Sequence, residues 1–226
     1  MNCQNARQKG SRRDREIVCA VGNYRVLDTD QVVALFFDSM KYGRRKAQER
    51  LTKLYRAGRV DRCANGDGPF CYYHTRPGQL SHALGVNWVR IWITKACRSW
   101  EKLHSWCYEL DYGTVRSDGF AAVKNAVTKD FRFIFVEFDR GTNDFDKVKK
   151  YNKLYESGKY MGDWWVKLSK RFPPVLVVTT SRGRAEKIRQ LAEGENPAGL
   201  EFVVYQLDDM KEEVLKCECK RLSRVL

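Results

Sequence analysis

The 226-residue chain has no apolar run approaching the roughly twenty residues that cross a bilayer, which argues against a helical membrane protein. Its opening stretch, MNCQNARQKGSRRDRE, is polar and basic with no apolar segment behind it. It reads as neither a signal peptide nor an anchor, so a cytoplasmic protein is expected. Histidine is scarce: His74, His82 and His104 are the only three, and no pair has ligand spacing. The eight cysteines lack the paired C-x-x-C spacing of a zinc ribbon, and Cys63/Cys71 and Cys217/Cys219 do not supply it. A chain this long does not depend on a disulfide framework, so free thiols in a reducing compartment are the expectation. There is no internal repeat and no low-complexity tract.

What the chain has in excess is positive charge. Forty-two Lys and Arg stand against 28 Asp and Glu, a net +14. Solubility alone needs far less. Such a surplus points to a polyanionic partner, nucleic acid before an anionic membrane. It is concentrated early: residues up to Arg76 hold 16 Lys and Arg against 8 Asp and Glu, a surplus of 8. Residues 1–11 read as a basic flexible arm adding phosphate contacts.

Residues 12–78 read as three helices and a hairpin. RDREIVCAVGNYRVL places Ile17, Val18, Val21 and Leu27 on one face of a helix running toward Asn23. DTDQVVALFF offers Asp28 or Thr29 as an N-cap before a short apolar helix. The third helix is the clearest. Ala47, Leu51, Leu54 and Tyr55 form a stripe, Arg44, Arg45, Lys46, Arg50, Lys53 and Arg56 crowd the rest, and Gly58 ends it. VDRCANGDGPFCYYH then alternates, turns and alternates again, with Arg62 on the hairpin. This order is that of a winged helix-turn-helix, whose third helix enters the major groove of duplex DNA. A basic helix face is otherwise simply solvated; here charge, order and hairpin agree.

Residues 79–226 read as an α/β domain with leading helices, giving an α+β chain overall. The segment from Gln79 to Gly113 reads as one or two helices. FAAVKNAV, FRFIFVEFD, PVLVVTT and LEFVVYQL read as strands, and helices are expected over Asp144–Ser157, Asp163–Phe172 and Arg184–Glu193. Most tryptophans at helical spacing are expected in the core, and an exposed Trp164 or Trp165 would fit a partner surface. Arg182 and Arg184, at a helix start after a strand, are placed for phosphate contact or for plain helix flanking.

The run FRFIFVEFD ends in two carboxylates. Glu137 and Asp139 share a strand face, Val136 points the other way, and Asp118 lies near a preceding strand. Together Asp118 and Glu137 would form a hard-oxygen pair able to bind Mg²⁺. Lys147 and Tyr151, four apart on the next helix, could aim at the same place. A metal there would polarise a phosphodiester and activate water, the lysine steadying the developing charge. Acidic residues at strand ends also cap the next helix, and Asn143 or Asp144 is placed to do so.

The stretch EFDRGTNDFDKVKKY resembles the Glu-x-Asp-x-Gly-Thr…Lys-x-x-x-Tyr signature of the plasmid replication-relaxation proteins. VLDTDQVVALFF…RRKAQERLTKLYRAGRVDR, LSHALGVNWVRIWI, WCYEL and VLVVTTSRGRAEKI extend the likeness, with His82 and Glu109 at its characteristic places. The resemblance implies a winged helix followed by a domain similar to the PD-(D/E)xK nuclease fold. It implies a protein of plasmids or integrative elements, working in replication, relaxation or mobilisation with double-stranded DNA, replication or relaxosome proteins, and a second copy of itself. Its site would be Glu109, Asp118, Glu137, Asp139, Lys147 and Tyr151. Two departures stand out: Ser117-Asp118 replaces Pro-Asp, and Glu137-Phe138-Asp139 replaces Glu-x-Lys. Either Lys147 substitutes from the helix in an active Mg²⁺-dependent endonuclease, or the scaffold has lost cleavage, which is the reading preferred. A plain transcriptional regulator is the third alternative.

Overall fold

The computed structural model describes residues 6–169 and 171–216, so Cys217, Cys219 and residues 1–5 of the expected arm lie outside the described residues. The chain is mixed α/β and divides into two compact units, Met1–Asn87 and Trp88–Leu226. The cut falls inside a helix, later than the 78/79 junction expected. No helix among the described residues is long and apolar enough to cross a membrane.

The first unit runs α1 (Ala6–Asn23), β1 (Val26–Asp28), α2 (Thr29–Phe36), α3 (Gly43–Arg56), β2 (Asp61–Asn65) and β3 (Gly68–Tyr73), then enters α4 (Leu80–Ala96). Residues 6–11, expected in the arm, are the first turns of α1. Leu27, assigned to that helix's apolar face, belongs instead to β1, which joins the hairpin in an antiparallel sheet of order β1-β3-β2. Three residues are too few to show alternation. Asp28 caps α2: its Oδ1 accepts from the Gln31 backbone N–H at 2.7 Å, and Gln31 Oε1 accepts from the Asp28 N–H at 3.2 Å. Gly43 opens α3 because a Cβ there would lie 2.3 Å from the Phe37 carbonyl oxygen. Two buried amides tie down the first turns of α4. Gln31 Nε2 donates to Leu84 O at 2.8 Å, and Asn87 Nδ2 donates to Tyr24 O at 2.9 Å and Val26 O at 2.6 Å.

The second unit is built on a five-stranded sheet of order β4-β5-β6-β7-β8 (Glu101–Tyr108, Gly119–Asn125, Phe131–Asp139, Val175–Thr179 and Phe202–Gln206). β4, β5 and β6 pair antiparallel, whereas β6, β7 and β8 pair parallel. The parallel pairs are joined through α5 (Lys147–Ser157), a short 3-10 helix (Trp164–Leu168) and α6 (Arg182–Gly194), and α7 (Leu207–Leu215) follows β8. Phe133 and Phe135 on one face of β6 pack with Phe120, Tyr151, Leu154 and Trp165, while Val136 is buried on the other.

Two expectations need correction. The helix expected across Gln79–Gly113 stops at Ala96, and Glu101–Tyr108 is strand β4. Its register shifts between Leu103 and Ser105, which breaks the period of two and hides the strand. Trp106 lies over Gly119, where a Cβ would come within 2.4 Å of the indole, so the β4–β5 pairing depends on that glycine. Secondly, α5 begins after Asp146 rather than at Asn143 or Asp144, and no side chain caps it.

Asn87→Leu keeps the volume but leaves the carbonyls of Tyr24 and Val26 without this donor. It is expected to destabilise the protein by about 1–3 kcal/mol in a denaturant titration.

Candidate functional site

Alternation along β6 carries Glu137 onto the face already occupied by Phe133 and Phe135, so the carboxylate enters the core and is only 2% exposed. Two residues one helical turn apart on α5 meet it. Tyr151 donates from its hydroxyl to Glu137 Oε1 at 2.8 Å, and Lys147 Nζ lies 2.8 Å from Oε2. Lys147 also donates to the Arg116 carbonyl at 2.6 Å. Asp118 arrives from just before β5. Its Oδ2 accepts the Phe138 backbone N–H at 2.7 Å, and its own N–H donates to Val136 O at 3.1 Å, which prolongs the β5–β6 ladder.

Burial pushes the Glu137 carboxyl up, Asp118 pushes it further, and Lys147 and Tyr151 pull it back; the result is about 8. The Tyr151 hydroxyl is raised well above its ordinary value by burial first and by the Glu137 charge second. Both effects favour uncharged groups at the centre of the cluster.

Asp118, Glu137, Lys147 and Tyr151 therefore come together at the end of β6. Asp139 and Glu109 are engaged differently. Asp139 takes a bidentate contact from Arg184 of α6 (Nε to Oδ2 at 2.7 Å, Nη2 to Oδ1 at 3.1 Å) and a 3.2 Å hydrogen bond from Thr179 Oγ1. Glu109 follows β4 with a positive φ of 57°, donates its backbone N–H to Asp118 O, and pairs with Arg116 at 2.7 Å. Arg116 and Thr179 had no signal in the sequence, because their partners Glu109, Lys147 and Asp139 lie 7 to 40 residues away.

The donor set does not fit a Mg²⁺ ion as it is arranged. Both oxygens of Glu137 are held, and no group of three or more His, Cys, Asp or Glu among the described residues is placed to hold a metal. A cation at Asp118 and Glu137 would first have to displace Lys147 or Tyr151.

The expected DNA-contacting cations divide into two sets. On α3 the buried stripe is Ala47, Leu51 and Leu54, which turns Arg44, Arg45, Lys46, Lys53 and Arg56 outward. Arg45 is 80% exposed and pairs with Glu49 at 3.0 Å; Lys46 reaches the same glutamate and Arg44 pairs with Asp30. Arg50 is tied instead to Asp14 of α1 at 3.3 Å and packs over Gly10. Arg62 on β2 is stacked between the rings of Tyr55 at 4.2 Å and Phe70 at 4.7 Å. Arg182 is exposed at the first turn of α6, whereas Arg184 is committed to Asp139. Trp88, Trp92 and Trp165 are buried, and Trp164 is exposed.

A carboxyl raised from 4.5 to about 8 makes the folded state the tighter proton binder between those values. Its contribution to stability is therefore fullest below about pH 4.5 and is lost as pH rises through 8. Glu137→Gln keeps an acceptor for Tyr151 and removes the titration. The stability gap between variant and wild type should widen in the variant's favour from pH 5 to pH 8, by at most about 1.4 kcal/mol per pH unit in a denaturation series.

Residues 69–164 match the family model described as replication-relaxation, a stretch that runs from β3 through α5 and contains all four residues of the cluster. No curated protein and no solved structure matches the chain. The match supports the replication-relaxation family for the part of the chain that builds this site.

Proposed function

We propose that this chain is a DNA-binding protein of a plasmid or integrative mobile element, acting in its replication, relaxation or mobilisation. The first unit serves as a winged helix, with α3 in the major groove and the β2–β3 hairpin as the wing beside the backbone. The second unit serves as a nuclease-like scaffold that has lost cleavage and contacts DNA or partner replication or relaxosome proteins.

The observation that carries this reading is the outward face of α3. Its apolar stripe is buried and its arginines and lysines are left at the surface. The pairs of Arg45 and Lys46 with Glu49 are exposed, and such pairs are worth only about 0–1 kcal/mol. Exchanging Glu49 for a phosphate therefore costs little, and counterion release favours the exchange. Arg50 and Arg184, held by carboxylates in less exposed settings, are assigned to the fold instead.

A second reading, a Mg²⁺-dependent endonuclease, draws on Asp118, Glu137 and Lys147 meeting at one strand end. In that reading the two carboxylates would hold the ion, which would activate water on the phosphodiester, and Lys147 would neutralise charge beside it. The engaged oxygens of Glu137 favour the first reading.

Arg45→Glu with Lys53→Glu should weaken duplex binding and lower the slope of log affinity against log salt by about 1 per lost phosphate contact, read in a salt-series gel shift. An unchanged slope would remove α3 from the interface. Supercoiled plasmid incubated with Mg²⁺ or Mn²⁺ should show no nicking that Asp118→Ala abolishes. Nicking that depends on Asp118 would establish the second reading.

A further inference from the structure

Within the first unit, β2 and β3 set Cys63 directly opposite Cys71. Opposed residues of an antiparallel pair have Cα atoms about 4.5–5.5 Å apart, inside the roughly 4.4–6.8 Å that a disulfide spans. Both side chains project from the same face of the sheet. Cys71 is buried with Val26 and Leu84, and Cys63 packs against that cluster with Tyr73, Leu80 and Ala83. The register is held on two sides: β2 pairs Arg62 with Tyr72 and Asp61 with Tyr73, while β1 pairs Asp28 with Cys71 and Leu27 with Tyr72. The irregularity in the hairpin falls between Cys63 and Asn65, toward the turn, and leaves the cysteine pair in step. Both thiols are free.

We propose that Cys63 and Cys71 are a reversible oxidation site, closing a disulfide across the hairpin when the chain meets a low-molecular-weight disulfide. Exposure sets the order of events. Cys63 is half-buried and meets the reagent, whereas Cys71 is buried. The Cys63 thiolate attacks the reagent's S–S bond, forming a mixed disulfide and expelling one small thiolate, which takes up a proton. Cys71 then gives up its proton, attacks the Cys63 sulfur and expels the second small thiolate. Two protein thiols and one external disulfide become one protein disulfide and two small thiols, so atoms and electrons balance.

Burial, then the nearby charge of Asp28, pushes the Cys71 thiol up to about 12, which keeps it from reacting first. Its role in the second step rests on position: the mixed disulfide forms directly across the ladder from it. A structural zinc is the other use for paired cysteines, but no third His, Cys, Asp or Glu completes a metal group there among the described residues. The bond would fix the hairpin that carries Arg62 and Phe70.

The full chain, kept folded and incubated with oxidised glutathione, is alkylated and mapped by peptide mass. The expected result is one internal cross-link, Cys63 to Cys71, with both alkylation sites lost and both restored by dithiothreitol. Cys71→Ala should stop at a glutathione adduct on Cys63, and Cys63→Ala should leave Cys71 reduced. The proposal is overturned if both cysteines remain alkylatable, if wild-type Cys63 keeps its glutathione adduct, or if either residue links elsewhere. Mapping of the wild-type chain decides this by itself should a variant fail to fold.

Discussion

The second unit depends on how it accommodates one carboxylate. A strand with both faces covered cannot choose where its side chains go, and Glu137 follows Phe133 and Phe135 into the core. An unpartnered charge there would cost several kcal/mol. The chain meets that cost with two residues at the i, i+4 spacing that puts them on one face of α5, a hydroxyl for one oxygen and an ammonium for the other. The same contacts fix where α5 lies on β6. Lys147 further ties that helix to the carbonyl of Arg116, just ahead of Asp118. A single buried acid thus links a strand, a helix and the approach to β5.

Positive charge is sorted by a comparable logic. Cations held by partly buried carboxylates, Arg50 by Asp14 and Arg184 by Asp139, join elements that are distant in sequence. On the outer face of α3, Arg45 and Lys46 share the exposed Glu49, in interactions weak enough to be exchanged, while Arg44 pairs with the half-buried Asp30. Net charge predicts a polyanionic partner but does not say which cations meet it. Burial ranks them by how readily their pairs are exchanged, because the cost of breaking an ion pair rises as solvent is removed from it.

Long, strongly periodic segments were legible in the sequence. The apolar run of β6, the i, i+4 pair Lys147 and Tyr151, and the α3 stripe at Ala47, Leu51 and Leu54 are visible through spacing alone, although Tyr55, expected in that stripe, is exposed. Other features were hidden for definite reasons. The bulge in β4 broke its alternation, and β1 is too short to have any. The Arg184–Asp139 contact joins residues 45 apart, so no local pattern could show it. The sequence puts Asp118 only near a preceding strand; its contact with the Phe138 backbone depends on strand register, which only the paired sheet supplies.

A carboxylate pair suited to a divalent cation needs open oxygens and a negative charge already in place. At the end of β6 Asp118 and Glu137 come near one another, but their oxygens are already engaged by the Phe138 N–H, Tyr151 and Lys147. Burial and Asp118 draw a proton toward Glu137, Lys147 neutralises it when it ionises, and Tyr151 holds the remaining oxygen. Replacing a buried ion pair by apolar side chains of similar volume is often neutral or stabilising, so stability alone does not require an acid here. What the arrangement provides is a fixed strand–helix junction, with Tyr151 on one oxygen of Glu137 and Lys147 on the other.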